Sequence, residues 1–479
     1  MSSLKQKSVI GVTWSLTERF GIYLIKFVIG VILARLLTPD AFGLIGMIYV
    51  FFAVADVFVN SGLGMAYVQK KEITDADANT IFYTNLFISI VLYGALFFGA
   101  PGIAKFYDQP PLIDLTRVMG FVVILNAFNI IQQAQIARAV DFKKRAKITI
   151  IATFISGSTG VVSAYMGLGV WALVIQSMAN RTLIAIGFWI SSEWNPKWQF
   201  SVKSFRELFA FGFWMLLTNV IRRIFDNIYV LAIGKFFLAA QVGYYTKAKQ
   251  FQRMASENLT GAIGSVSFPV YTKIQDDKAK LQKGMRKFLQ HSLIFIVPLV
   301  VGLIVVAKPF VIILIKEKWA PMIPYLQLLC VAGVFYPIHL VNIQALVAQG
   351  RSRLSFKLDL VKNGLRLINI AVMSNFGIIY IILGEVMISV IALALNTWMS
   401  QRLVNYGFWK QMRDLWQILA GGVFAGLLGM TPTLFSSNLW VLLIFGIILT
   451  MFGFLGFQYV TNRKLLIETI ELKQNFRKS

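Results

Sequence analysis

Residues 11–40 read GVTWSLTERFGIYLIKFVIGVILARLLTPD, and this stretch decides the fold. It is long and apolar enough to cross a bilayer, which takes about 20 largely apolar residues. Yet Glu18, Arg19 and Lys26 lie inside its apolar span. A charge near the bilayer centre costs about 2.5–3.5 kcal/mol on insertion scales, so such a group faces protein or water and marks a pathway. The stretch ends in Arg35-Leu-Leu-Thr-Pro-Asp40. Thr38 suits a helix cap, Pro39 a first helical turn, and Asp40 the positive end of the next helix dipole. A charged membrane helix, a tight turn and a second membrane helix form the opening unit, and the rest of the chain reads as its repetition.

Outward from this stretch, the composition is of the same kind. The 479 residues are 57% hydrophobic and 14% charged, with a mean hydropathy of +0.69. Soluble domains are about 45–50% apolar and about 25% charged. The expected fold is an all-α integral membrane protein with about fourteen transmembrane helices. The first six spans fall near 9–36, 42–68, 81–100, 112–136, 148–166 and 170–191. The next six fall near 208–237, 242–270, 288–307, 323–348, 358–374 and 378–401, and a last pair near 415–434 and 439–460. No hydrophilic stretch is long enough for a separate soluble domain.

The loops orient these spans. With the N-terminus inside, the inside segments hold 29 Lys and Arg residues and the outside loops 6. That bias implies an even number of spans with both termini cytoplasmic. The formal charge of +25 has the same origin, together with contact to anionic membrane lipids. Nucleic acid is not an expected partner, because the basic residues sit in short loops between apolar spans. Lys5 and Lys7 precede the first span, and no cleavage site follows it, so the first helix is expected to be retained. Cys330 is the single cysteine, and His291 and His339, far apart in sequence, alone make a poor metal site and are expected in core or interfacial roles. No metal and no cofactor is expected, and no catalytic, nucleotide or metal-ligand motif appears.

The halves correspond at an offset of about 200 residues. Trp14 falls on Trp214, Ala34-Arg35 on Gly234-Lys235, and Gly43 on Gly243; Gly167 falls near Gly377. An internal duplication follows, with lobes at 1–200 and 201–405 and an extra helix pair and basic tail at 406–479. Six helices per lobe relate the two pseudo-symmetric lobes by an axis along the membrane normal, and such transporters hold substrate between the lobes.

Eleven basic and five acidic residues lie inside the expected spans, so the membrane interior carries surplus positive charge that internal pairing cannot remove. Seven of the eleven fall on the first two helices of the halves. The candidate cavity residues are Arg19, Lys26, Arg222, Arg223, Lys249 and Arg253. Glu18, Asp226, Glu257 and Glu385 are candidates for ion pairing or coupling. Spacing of four pairs Arg222 with Asp226 and Arg253 with Glu257, leaving Arg223 and Lys249 over. Lys247, Arg181 and Lys362 read as snorkelling side chains, and Asp56 as a partner of a neighbouring helix. For every one of these groups the alternative is a structural ion pair. Arginine donates two parallel hydrogen bonds to phosphate, so a wet arginine cluster reads as a pyrophosphate or carboxylate site. Trp14, Tyr23, Trp214 and Tyr229 lie on the same helices and could stack on sugars.

The run from Trp14 to Thr74, WSLTERFG…FVIGVILARLLTPDAFGLIGMIYVFFAVADVFVNSGLGMAYVQKKEIT, resembles bacterial polysaccharide exporters of the lipopolysaccharide and exopolysaccharide type. These belong to the multidrug/oligosaccharidyl-lipid/polysaccharide exporter superfamily. The resemblance rests on LARLLTP-x-x-[FY]-G at 33–43, SGLG at 61–64, QQAQIARAVDF at 132–142 and GLGVWALV at 167–174. It implies twelve helices, often with two more, around a central cavity in the bacterial inner membrane. It implies flipping of an undecaprenyl-pyrophosphate-linked oligosaccharide, with glycan-assembly membrane proteins as further partners. It also implies that charges on the first and seventh helices line the cavity, where Arg19 and Arg222 or Arg223 stand. A cation-coupled multidrug antiporter of the same superfamily would need an acid-rich cavity, which the basic excess disfavours. A glycan polymerase or ligase would need a long extramembrane loop, and no loop here is long enough.

Overall fold

The computed structural model describes residues 2–60, 64, 67–68, 70, 72–139 and 141–469; at 2–13, 15–16, 19, 60, 207–215 and 262 it describes the backbone alone. Every regular element among the described residues is helical. In chain order they are α1 (Ser2–Leu36), α2 (Pro39–Asn60), α3 (Asp75–Tyr107), α4 (Leu112–Ala127), α5 (Ile130–Ala139), α6 (Phe142–Tyr165) and α7 (Trp171–Ile190). Then come α8 (Val202–Asp226), α9 (Ile228–Phe236), α10 (Ala239–Ala255), α11 (Glu257–Lys273), α12 (Lys278–Val305) and α13 (Ala307–Ile315). After a 3-10 turn at Glu317–Met322 follow α14 (Ile323–Val334), α15 (Tyr336–Ala348), α16 (Ser352–Met373), α17 (Ile378–Val404), α18 (Phe408–Met430) and α19 (Leu439–Thr461). The opening turn is as expected, with Pro39 first in α2 and Asp40 in its first turn. Residues 61–63 of the SGLG motif lie outside the described residues.

Nine helices among the described residues are long and apolar enough to span a membrane, and α4 with α5, bent by 42°, makes a tenth. Of the charged helices, α16 falls below that standard, α10 at 17 residues is too short for it, and α1 and α8 are described only in part. They are the helices that carry Lys26, Arg222 and Arg223, Lys249 and Arg253, and Lys362 and Arg366. In α16 the polarity that marks a functional candidate also hides the helix from a hydropathy test.

The repeat is visible in the element bounds. α1 ends at Leu36 and α9 at Phe236; α2 begins at Pro39 and α10 at Ala239. Gly167 and Gly377, in corresponding turns, both take positive φ, +79° and +119°, which only glycine adopts without strain.

Several helices are broken, and the breaks have local causes. Asn227 separates α8 from α9, and its side chain donates to the Arg223 carbonyl at 2.8 Å. Asn129 separates α4 from α5 and donates to the Leu125 carbonyl at 3.0 Å. Short amide side chains that bond nearby backbone compete with the helix ladder. Phe335 separates α14 from α15 ahead of Pro337, which has no N–H to continue the ladder.

The chain folds as two compact units, Met1–Gly243 and Tyr244–Ser479. In the first, α6 packs against α1 and α7. The contact is close because Gly157 sits under Ile29 and Gly160 under Gln176. Small residues let membrane helices gain packing energy that lipid cannot match. α8 and α9 also belong to this unit and pack on α2 and α3. In the second unit the core gathers Leu281, Met285, Leu289 and Leu293 of α12 with Ile338, Leu393, Ile418 and Phe454. A buried polar clasp ties α18 into it. Gln411 and Asn342 exchange hydrogen bonds at 2.8 and 3.0 Å, and Ser400 donates to Asn342 at 2.5 Å. Arg286 meets Asp414 at 3.2 Å.

Candidate functional site

In the first unit α2 places Asp56 against α4 and α7. Asn126 Nδ2 donates to Asp56 Oδ1 at 2.5 Å, and Arg181 stands 3.9 Å from Asp56 Oδ2. Arg223 of α8 also acts on the charge of Asp56, and Arg181 acts on that of Lys26 of α1. Arg181 thus meets Asp56 directly, with Arg223 in electrostatic range of Asp56 and Lys26 in range of Arg181. Lys26 and Arg223 are exposed, and Arg181 and Asp56 are partly so, at 42% and 33% of their side chains. No ion pair of Lys26, Arg222 or Arg223 occurs among the described residues. Such a group of cations presents several donors to an anion while holding only one acid of its own.

Two expectations are corrected here. Arg222 and Asp226 do not pair among the described residues; both are exposed. Asp226 is the last residue of α8, at the negative end of the helix dipole, where a carboxylate is disfavoured. Arg181 does not merely snorkel but faces Asp56. The backbone of Arg19 continues α1, and its side chain, like that of Trp214, lies outside the description. Glu18 is buried and held by α6: Thr149 donates to it at 3.0 Å and Arg145 approaches to 3.3 Å. Lys143 of the same basic turn lies 5.7 Å from the Trp14 ring. Tyr23 is exposed and Tyr229 is buried, so only the former presents an open ring.

The second unit handles its cations differently. Arg253 and Glu257 form the i,i+4 pair at 3.2 Å that their spacing implies. Lys249 is not left over: it donates to Glu385 Oε1 at 2.6 Å, while Tyr245 donates to the other oxygen at 3.1 Å. This corrects the reading of Lys249 as a spare charge, because its partner comes from α17, 136 residues away. Lys362 pairs with Asp359 at 2.7 Å. Lys247 is buried, with its ammonium 6.0 Å from the Trp319 ring, rather than reaching for an interface. His339 is held between Ser389 at 3.1 Å and Asn396 at 3.2 Å, in the manner of a core histidine. Among the described residues no group of His, Cys, Asp and Glu could hold a metal ion.

Asn126 and Tyr245 escaped sequence reasoning. Neither is charged, and only their placement against Asp56 and Glu385 distinguishes them from other polar residues in membrane helices.

Comparison with known proteins completes the description. The family described as polysaccharide biosynthesis protein matches residues 32–324. The chain is 27% identical to the lipopolysaccharide biosynthesis protein WzxC of Escherichia coli K12, over 86% of this chain and 85% of that one. It is 24% identical to the teichuronic acid biosynthesis protein TuaB of Bacillus subtilis 168, over 75% of each. Among solved structures, the lipid II flippase MurJ in an inward closed conformation matches 95% of this chain and 100% of its own, with a TM-score of 0.78 at 16% identity. An inward-facing multidrug transporter of the MATE family matches 80% of this chain and 96% of its own with a TM-score of 0.59 at 14% identity. The last two likenesses concern the fold.

Proposed function

From the premise that this chain belongs to the polysaccharide biosynthesis protein family, we propose that it flips a lipid-pyrophosphate-linked oligosaccharide across the bacterial inner membrane by alternating access. The lipid carrier is undecaprenyl, and glycan-assembly membrane proteins supply and consume the substrate. Ten apolar spans, together with the charged helices α1, α8–α9, α10–α11 and α16, make fourteen crossings with both termini cytoplasmic, in line with the positive bias of the inside loops.

The observation that carries the reading is the cation group of the first unit. Lys26, Arg181 and Arg223 against Asp56 leave two net positive charges. A diphosphate diester carries about one negative charge on each phosphorus at neutral pH, and guanidinium forks bind phosphate oxygens bidentately. The surplus that would be costly in lipid is thereby offset when the headgroup enters. Sugars occupy the adjoining wet space and the prenyl chain stays in the bilayer. No bond is made or broken, so the protein works as a transporter rather than an enzyme. A multidrug antiporter for organic cations would need carboxylates where this chain has three cations and one acid.

The test is reconstitution into vesicles with a lipid-diphosphate oligosaccharide in one leaflet and an impermeant probe of the sugar in the other. Arg181→Ala with Arg223→Ala should lower translocation by at least about 100-fold, since each charged hydrogen bond is worth roughly 1.5–3 kcal/mol. Translocation unchanged in the double variant would overturn the assignment of the site.

A further inference from the structure

The first turns of α2 and α10 meet backbone to backbone at two glycines. A β-carbon built on Gly43 would collide with the carbonyl oxygen and carbon of Ala239 and lie 3.2 Å from its Cα. One built on Gly243 would collide with the carbonyl of Pro39 and lie 3.3 Å from the Gly43 nitrogen. A flexible side chain can swing aside from an added methyl group, but a helix backbone cannot. The approach therefore exists only because both positions are glycine.

The four residues are related by the repeat. Pro39 corresponds to Ala239 and Gly43 to Gly243, each at an offset of 200, and the contacts are reciprocal: 43 meets 239, and 243 meets 39. A surface that meets its own equivalent lies on the two-fold axis that relates the copies. With parallel repeats that axis runs along the membrane normal, and the substrate passes between the halves around it. A contact on the axis stands across the path. The charge bias of the loops puts the starts of α2 and α10 on the outer side of the membrane. A second contact reinforces the closure at the same level. Gly234 of α9 makes room for Tyr107, whose ring would lie 2.6 Å from a β-carbon there, and Tyr107 donates to the Met47 carbonyl at 3.4 Å. Lys235 donates to the Phe106 carbonyl at 2.8 Å.

We infer that Gly43 and Gly243 form a backbone-to-backbone outer seal, which must part for the oligosaccharide to leave. The inference rests on the transport reading above. At Gly43 and Gly243 the helices meet backbone to backbone, so these two starts can separate as rigid bodies. It also gives the LARLLTP-x-x-F-G signature of this chain a mechanical meaning. Thr38, Pro39 and Asp40 start the helix, and Gly43, one turn on, lets that start meet its repeat counterpart.

The test uses the full chain carrying Lys26→Cys as a reporter, the native Cys330 being buried. A membrane-impermeant maleimide is applied from the outer side. Gly43→Ala and Gly243→Ala should each raise the labelling rate tenfold or more. Gly94→Ala, where an added methyl group meets nothing within 4 Å, should leave it unchanged. Unchanged labelling in folded Gly43→Ala and Gly243→Ala proteins overturns the inference. A second arm does not depend on those variants folding. Cysteines replacing Pro39 and Ala239, whose carbonyls meet the two glycines, should cross-link with a short reagent, abolish outer labelling of the reporter and, in a chain that keeps Lys26, stop translocation. Failure of that pair to cross-link, or normal translocation once cross-linked, also overturns it. Labelling needs no substrate. If it responds as expected while wild-type protein moves no lipid-linked oligosaccharide, the seal stands and the function assigned to the site falls.

Discussion

In the second unit Lys249, Arg253 and Lys362 each have a carboxylate oxygen within 3.2 Å. In the first unit, among the described residues, the nearest such approach to Lys26, Arg181, Arg222 or Arg223 is that of Arg181 to Asp56, at 3.9 Å. One unit pairs these three membrane cations with carboxylates, and the other leaves Lys26, Arg222 and Arg223 exposed. Corresponding positions show the same divergence. Asp56 of α2 accepts from Asn126 beside the break between α4 and α5. Ser256, 200 residues later, donates to the Gly333 carbonyl at 2.6 Å beside the break between α14 and α15. The mechanical contact, second helix to broken fourth helix, is kept in both units. The charge is kept only in the first. The comparison teaches that related helices can carry cations in two ways, paired to acids from neighbouring helices or turns in the second unit and left exposed around one acid in the first.

The comparison can be broken or sharpened by substitution. The largest effect is expected in the second unit. Glu385→Gln leaves the Lys249 ammonium without its counter-ion, and removing one partner of a buried pair costs about 3 kcal/mol. Thermal unfolding in detergent should show that loss, and the combined Lys249→Met, Glu385→Leu variant should recover most of it. An equal loss in both proteins would mean that the pair is not the source. In the first unit the sign should differ by readout. Asp56→Asn removes the one acid facing the cations, so it should tighten binding of a diphosphate headgroup about tenfold, or about 1.4 kcal/mol. Because that carboxylate is partly exposed and 3.9 Å from Arg181, its loss should change stability by less than about 1 kcal/mol. Weaker headgroup binding in Asp56→Asn would break the contrast between units. Ser256→Ala should cost about 0.6 kcal/mol, the usual worth of an interhelical hydrogen bond in a membrane. Its thermal shift against that of Asp56→Asn compares the neutral and charged versions of one contact. Arg253→Gln should cost least, about 0.3–0.5 kcal/mol, since the pair lies on one helix face and the guanidinium is half exposed. A loss above 2 kcal/mol there would mean that Arg253 holds more than Glu257.

Some of this was legible in the residues. Spacing of four on one helix correctly joined Arg253 to Glu257, because the helix itself supplies the geometry. The same rule failed for Arg222 and Asp226, where the acid falls on a helix end that Asn227 creates and the dipole disfavours. Lys247 was misread because length and charge do not tell whether a lysine reaches water or lies in a pocket beside Trp319. Arg181 was misread for a related reason, since its partner Asp56 is 125 positions away in the chain and on a different helix.

The sequence by itself determined the membrane class, the 200-residue repeat, the helix start at Pro39 and which helices carry charge. Each of these follows from composition or from spacing within one helix, and both are local properties. Only the tertiary structure decided which cations are neutralised and which face outward. It also decided that Gly43 must be glycine because a carbonyl of Ala239 occupies the place of its β-carbon. Those outcomes depend on atoms supplied by helices more than a hundred residues apart, whose approach is set by packing and leaves no periodicity to read.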